Sequence, residues 1–361
     1  MADARNRLRD LADFGANPGA LRARLYLPQA LGRNAPLVVV LHGCTQTAAG
    51  YDHGAGWSQL ADRQGFALLF PEQQRSNNPN LCFNWFEPSD IRRDGGEALS
   101  IRNMIEAMIS ANDIDRRRIF VTGLSAGGAM AAVMLATYPE LFAGGAIIAG
   151  LPYGCASSAP EAFDRMRGHG GPSEKGSQDQ LRRASGHAGP WPTVSVWHGA
   201  ADRTVDPSNA AAIVAQWRSV HGVQERPAYS ESGAGYVKRA WLADDGREAI
   251  EEYAVAGMGH GTPLKTGGPN GLGAAGPFML EVGVSSTEQI ARDWGLISRV
   301  EDRRETERAL VVSDAEAPAA PAAQSAQDKA DEPRKPSPSS GSMHGIRKTI
   351  EDALRAAGLM K

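Results

Sequence analysis

The run Phe120-Val121-Thr122-Gly123-Leu124-Ser125-Ala126-Gly127-Gly128-Ala129-Met130 constrains this chain more than any other segment. Residues of high strand propensity pass directly into Gly-x-Ser-x-Gly, a pentapeptide that sets a serine on a sharp strand-to-helix turn with its hydroxyl exposed above a parallel sheet. The glycines have a steric meaning. A residue at such a turn sits in a strained backbone conformation, and Gly123 and Gly127 lack the Cβ atoms that would hold strand and helix apart. Taken alone, the pentapeptide leaves two readings open: a nucleophile at Ser125, or a serine capping the helix that follows.

A nucleophilic serine needs partners, and the rest of the chain offers them in a consistent order. Upstream, Pro36-Leu37-Val38-Val39-Val40-Leu41 reads as a strand buried on both faces, opening into His42-Gly43-Cys44-Thr45-Gln46. An oxyanion site takes one backbone N–H from the residue after the nucleophile, here Ala126, and one from the loop after an earlier strand, here Cys44. Downstream, Trp197-His198-Gly199-Ala200-Ala201-Asp202 places Asp202 in a turn just past a buried strand, where ligands gather in parallel sheets. Asp206 precedes a proline and is read instead as the cap of a helix starting near Ser208, while Asp244 belongs to a hairpin turn. Among eight histidines, His260 follows the last apolar strand and is flanked by glycines, so the chain can bend its ring over the nucleophile. His42 comes too early to be the base and is read as a buttress of the oxyanion loop. His198 ends a strand as a buried packing or hydrogen-bonding residue, and His53, His169, His187, His221 and His344 lie in polar stretches. With Ser125, Asp202 and His260 in order, nucleophilic acyl transfer becomes the favoured chemistry, and it needs no metal or organic cofactor.

The flanking segments fit a parallel α/β architecture. Residues 20–28 alternate apolar with charged, as in a half-exposed edge strand. A helix is expected around 55–64, a short strand over 66–70 stopped by Pro71, and a helix from Glu97 to Asn112 leading into the nucleophile strand. Further buried strands are read at 145–149 and 193–197, a hairpin at 236–256 and a helix at Ser286–Trp294. Strands alternating with helices imply a mostly parallel central sheet covered by helices on both faces. From Tyr153 to Pro190 the chain turns to Gly, Ser, Arg and Pro, an excursion that either shapes a substrate groove or is a solvated loop.

Of 361 residues, 42% are hydrophobic, enough for a substantial core, and 38 basic against 41 acidic residues leave a formal charge of -3 with no basic block to neutralise a phosphate backbone. Nucleic acid is therefore not an expected partner. Met1–Asp10 carries positive charge with no apolar core of signal-peptide length behind it, and no stretch reaches transmembrane length, so the chain reads as soluble and without a cleavable export signal. The three cysteines, Cys44, Cys82 and Cys155, read as reduced thiols by number, or as a Cys44–Cys82 disulfide clamping the oxyanion loop, since both lie in loops expected near the site. Metal-ligand spacing is absent.

Together, His42-Gly43-Cys44-Thr45-Gln46-Thr47, Gly123-Leu124-Ser125-Ala126-Gly127-Gly128-Ala129-Met130, the Trp197 to Asp202 turn and Gly257-Met258-Gly259-His260-Gly261 resemble the polyhydroxybutyrate depolymerase family of esterases, to which acetyl xylan and feruloyl esterases are related. The resemblance spans about residues 13–297. It implies an α/β-hydrolase fold, hydrolysis of carboxylic esters through an acyl-enzyme, and catalytic roles for Ser125, Asp202 and His260 with oxyanion donation from Cys44 and Ala126. The substrate it implies is a short-chain hydroxyalkanoate polymer or oligomer, with acetyl xylan or feruloyl esters as the alternative. A non-catalytic binding protein on the same fold is the reading from another class, and a broken triad would be its sign. His42, Asn84 and Trp85, with Phe86, are candidate lining of the substrate pocket, or else core packing. Members of the family are often secreted, an implication that stands against the absence of an export signal.

The catalytic domain is expected over residues 1–300. An Ala/Pro/Ser-rich linker over 301–342 is too poor in large apolar groups to pack. A short amphipathic helix over 343–361, with Ile346, Ile350, Leu354 and Ala357 on one stripe, would dock on its own domain, on a partner, or on a granule or membrane surface.

Overall fold

The computed structural model describes residues 6–297. The chain divides into two units, Met1–Leu296 and Ile297–Lys361, and the expected linker and terminal amphipathic helix lie outside the described residues.

The first unit is built on one ten-stranded sheet. Its strands are β1 (Arg9–Asp10), β2 (Arg22–Tyr26), β3 (Ala35–Leu41), β4 (Ala67–Glu72), β5 (Ile114–Leu124), β6 (Gly144–Ile148), β7 (Thr193–Gly199), β8 (Tyr229–Gly233), β9 (Tyr236–Leu242) and β10 (Glu248–Val255). The order across the sheet is β1-β2-β4-β3-β5-β6-β7-β10-β9-β8. Strands β4, β3, β5, β6, β7 and β10 are mutually parallel, with antiparallel strands at both margins. Side chains alternate between the faces of a strand, yet every residue of β3 and of β6 is buried, so both faces of the central sheet are covered. The covering helices are α1 (Ala48–Ala55), α2 (Trp57–Gln64), α3 (Gly96–Ala111), α4 (Ala126–Thr137), α5 (Ala159–Met166), α6 (Glu174–Arg183), α7 (Ser208–His221) and α8 (Ser286–Asp293). A small parallel pair, β11 (Thr262–Leu264) with β12 (Met279–Glu281), follows β10.

The helix expected around 55–64 is α2, and a further helix, α1, precedes it, the two separated at Gly56, whose left-handed φ of 76° ends α1 and begins α2. Two local expectations are corrected. Pro71 does not stop β4. The parallel partner β3 pairs with β4 only as far as Leu69, so beyond it the strand is an edge on that side and the missing N–H of Pro71 costs no ladder bond there, while β2 still pairs at Ala23 and Arg22. The excursion from Tyr153 to Pro190 is neither formless nor only solvated. It folds into α5 and α6, and the buried Gln216 of α7 donates to Ser177 Oγ of α6 at 2.8 Å and to the Tyr153 carbonyl at 2.9 Å. The low hydrophobicity of these helices is what hid them.

Candidate active site

Strand β5 delivers Ser125 to the end of the sheet. The Ser125 N–H continues the ladder by donating to Ile148 O at 2.9 Å, and the residue then turns at φ 57°, ψ -119° before α4 begins at Ala126. A non-glycine residue in that region is strained by about 1–3 kcal/mol, a cost that persists only where the surroundings over-determine it. They do so here through backbone contact. A Cβ on Gly127 would lie 2.3 Å from Leu41 O and 2.5 Å from His42 O, and one on Gly123 would lie 2.4 Å from the Gly127 carbonyl. The glycines let β5, α4 and the end of β3 meet at van der Waals contact, leaving the serine half-buried and open to solvent.

Strand β7 delivers Asp202. Past Gly199 the chain turns through Asp202, whose Oδ1 accepts from the Thr204 and Val205 N–H groups at 2.8 and 3.0 Å. Oδ2 faces His260 Nδ1 at 2.7 Å and, more loosely, His198 Nε2 at 3.4 Å. Burial pushes this carboxyl upward, but the bonds from His198 and His260 outweigh it and hold Asp202 well below the usual carboxylate range, so it is ionised. Asp206 stands apart and accepts from the Ser208 N–H at 2.9 Å, as a cap for α7.

The loop after β10 brings His260. A Cβ on Gly199 would meet Met258 O at 2.3 Å and Gly259 O at 2.4 Å, so the turn that carries Asp202 and the loop that carries His260 are packed backbone to backbone. His260 Nε2 then lies 2.9 Å from Ser125 Oγ. With Nδ1 against an ionised carboxylate, the proton of neutral His260 belongs on Nδ1, leaving Nε2 to accept from the serine. Phe278, half-buried and at a left-handed φ of 62°, presents its ring edge-on 6.0 Å from the His260 ring. Its carbonyl accepts from the Thr262 N–H at 2.8 Å, which fixes the strained turn. This aromatic neighbour was not found in the sequence, where it sits in a Gly- and Pro-rich stretch without periodicity.

Against the elbow lies the loop after β3. Cys44 is joined to Cys82 by a disulfide with a Cα–Cα distance of 4.2 Å, and Cys155 is the free, buried thiol. Ala126 is the first residue of α4, so its N–H has no acceptor inside the helix, and neither it nor the Cys44 N–H donates elsewhere among the described residues. Gly43 sits beside the elbow, within 3.5 Å of Leu124 when given a Cβ.

Of the two readings open for the candidate pocket residues, their burial fits interior packing and, for His42, a buttress of the loop after β3. His42 is 1% exposed and both ring nitrogens are engaged: Nε2 accepts from the Gln73 N–H at 3.1 Å and Nδ1 donates to Gly43 O at 2.8 Å. Burial lowers its pKa, which keeps it neutral. Asn84 is buried as well, its amide held by Asn78 and Asp90. Both are engaged inside the protein. Trp85 belongs to the hydrophobic core, with Phe86 edge-on to it at 5.4 Å. Among the described residues no group of three or more His, Cys, Asp or Glu is arranged to hold a metal ion, and no helix is long and apolar enough to cross a membrane.

The chain is similar in sequence and fold to known proteins. Residues 21–236 match the family model described as "Esterase PHB depolymerase". The chain is 45% identical over 293 residues to the poly(3-hydroxyalkanoate) depolymerase C of Paucimonas lemoignei, covering 80% of this chain and 70% of that one. It is 33% identical to an acetylxylan esterase of Coprinopsis cinerea, over 71% and 69% of the two chains. Among solved structures, the acetyl xylan esterase from Aspergillus awamori superposes with a TM-score of 0.68 at 26% identity, covering 80% of this chain and 99% of that one. The chain therefore belongs to the polyhydroxybutyrate depolymerase family of esterases, as a carboxylic ester hydrolase of α/β-hydrolase fold.

Proposed function

We propose that this esterase hydrolyses short-chain hydroxyalkanoate esters, as oligomers or polymer ends, with Ser125 as nucleophile, His260 as general base, Asp202 as its orienting carboxylate, and the Cys44 and Ala126 N–H groups as oxyanion donors. The observation that carries the reading is the unbroken series from Ser125 Oγ to His260 Nε2 at 2.9 Å and from His260 Nδ1 to Asp202 Oδ2 at 2.7 Å. The first is a productive distance for proton transfer from Ser125 to His260, and the second orients the imidazole, before any substrate is bound. A non-catalytic role on the same fold would give no reason to hold all three groups in register.

The chemistry follows in two balanced steps. His260 Nε2 takes the Ser125 proton as Oγ bonds to the ester carbonyl carbon, and the oxygen that becomes negative rests on the two N–H donors. Collapse breaks the ester C–O bond, and the proton on His260 goes to the leaving alcohol. Water, deprotonated by the same imidazole, attacks the acyl-enzyme. The carboxylic acid leaves and Ser125 regains its proton. Asp202 stays ionised throughout and stabilises the imidazolium between the steps.

Substrate class rests on relatedness: the hydroxyalkanoate depolymerase is the more similar relative at 45% identity, against 33% for the acetylxylan esterase. The full superposition on an acetyl xylan esterase favours acetylated xylan as the second reading. Ser125→Ala is expected to reduce hydrolysis of p-nitrophenyl butyrate by at least about 10⁴-fold with the fold retained. Activity near wild type in that variant would overturn the assignment. Release of acid from hydroxybutyrate trimers compared with acetylated xylan and methyl ferulate decides the substrate, and preference for either plant ester would replace the hydroxyalkanoate reading.

A further inference from the structure

Glu97, in the first turn of α3, is fully buried and the mechanism above does not use it. Its Oε1 accepts from Gln73 Nε2 at 2.6 Å and Asn77 Nδ2 at 3.2 Å, and its Oε2 accepts from the Asn84 N–H at 2.9 Å. None of these donors is a cation. The ionisable neighbour is Asp90, another acid, and burial together with that proximity pushes the Glu97 carboxyl up to about 8. A buried carboxyl without a cation is costly to keep, and the natural question is what it holds.

The bonds lead to the oxyanion loop. The same Gln73 side chain donates to Cys82 O at 3.0 Å, and Cys82 is the disulfide partner of Cys44. The backbone N–H of Gln73 can only donate, so His42 Nε2 accepts it and the His42 proton sits on Nδ1, which donates to Gly43 O. The Gly43 carbonyl and the Cys44 N–H are opposite ends of one planar trans peptide. Pinning the carbonyl from one side aims the N–H to the other. Glu97 thus stands at the root of a series, Glu97 to Gln73 to His42 to the Gly43–Cys44 peptide, that sets the direction of one oxyanion donor.

We infer that Glu97 is a positioning residue for the oxyanion hole, acting through Gln73 and His42 on the Gly43–Cys44 peptide. The inference rests on the reading of Cys44 as an oxyanion donor. Glu97→Gln keeps the shape but places an amide N–H₂ against donors, breaking at least one of the three bonds.

The test is steady-state hydrolysis of p-nitrophenyl butyrate by Glu97→Gln, with inhibition by butaneboronic acid measured alongside. The boronate forms a tetrahedral adduct on a catalytic serine and reads the oxyanion site directly. The expected result is a fall in kcat of about 10- to 100-fold, KM within about twofold, and a boronate inhibition constant raised by a factor similar to the loss in kcat. Should Glu97→Gln fail to fold, Gln73→Ala carries the test: it removes the side-chain bonds to Glu97 and Cys82 while keeping the N–H to His42, and the same two constants move together by a smaller factor. Wild-type kcat in the folded variant, or a loss of kcat with an unchanged boronate constant, overturns the inference. Ser125→Ala separates the two levels. If it stays active, the proposed function itself fails; if it is inactive while Glu97→Gln matches wild type, only the positioning role fails.

Discussion

The Ser125 elbow and the loop proposed to donate to the oxyanion stand at the ends of adjacent strands, β5 and β3, and are held by largely different means. The elbow is held by backbone: Ser125 is bonded to Ile148 O in the sheet ladder, and Gly123 and Gly127 sit where a Cβ would overlap carbonyl groups. The oxyanion loop is held by side chains brought from elsewhere, through a disulfide to Cys82, a ring hydrogen bond from His42 and the Gln73–Glu97 bonds behind it. Thr45 within that loop sits at a left-handed φ of 64°, its N–H donating to Asn80 O at 2.7 Å, so the same 73–84 segment also fixes the strained turn. Backbone contact tolerates no substitution, whereas side-chain ties can be removed one at a time. The elbow is therefore expected to fail all at once and the oxyanion loop by degrees.

Gly127→Ala gives the largest effect. Its Cβ would meet Leu41 O and His42 O, atoms of the central strand that cannot move aside, so a loss of about 3 kcal/mol in stability accompanies displacement of the serine. Activity is expected to drop at least about 100-fold. Chemical denaturation and the p-nitrophenyl butyrate assay check both, and a variant with wild-type melting and turnover would break the claim that steric contact holds the elbow.

Cys82→Ser comes next and sharpens the contrast. The disulfide joins positions 38 residues apart, and by the chain-entropy account its loss costs about 3–4 kcal/mol through the unfolded state. The elbow and the triad keep their own supports, so kcat is expected to fall only about tenfold. Dithiothreitol on the wild type should reproduce that loss reversibly. Abolished activity with native circular dichroism would show instead that the disulfide, not the side-chain network, sets the donor.

The same division explains how much was legible in the sequence. Ser125, Asp202, His260 and the elbow glycines each occupy a strand end, and local composition marks a strand end well: β-branched or apolar run, then glycine, then the functional group. Glu97 and Gln73 act across the fold, over 24 positions of chain, and nothing local distinguishes a buried network glutamate from an ordinary acidic residue in the first turn of a helix. Asn84 and Trp85 read as pocket residues because an amide beside aromatics is common to pockets and cores, and only burial separates the two. Helices α5 and α6 were missed because they are short and polar overall, burying only Ala162 in the one and Ser177 and Leu181 in the other, and they lie among glycines, serines and prolines that read as loop.

The smallest effect sets the two buried carboxyls against each other by pH. Asp202, with two histidines beside it, is held low and stays ionised. Glu97, with no cation and with Asp90 nearby, keeps its proton up to about 8, against an ordinary value of 4.5 in the unfolded chain. The folded state therefore holds an extra proton between those limits, and the associated stability is full below pH 4.5 and declines until pH has passed about 8. From pH 7 to pH 9 this share amounts to about 1 kcal/mol, or a lowering of the melting temperature by about 2 °C for a domain of this size. Glu251, raised to about 8 by burial and by the neighbouring carboxyls of Glu248 and Asp293 against the opposing pull of Lys238, titrates in the same window, so the wild type falls by more than the Glu97 share. Glu97→Gln, whatever its absolute stability, should lose only the Glu251 part, giving a shallower decline in melting temperature across that range. Parallel pH profiles for the two proteins would mean that Glu97 is ionised at neutral pH and that its three donors carry the cost of the buried charge by themselves.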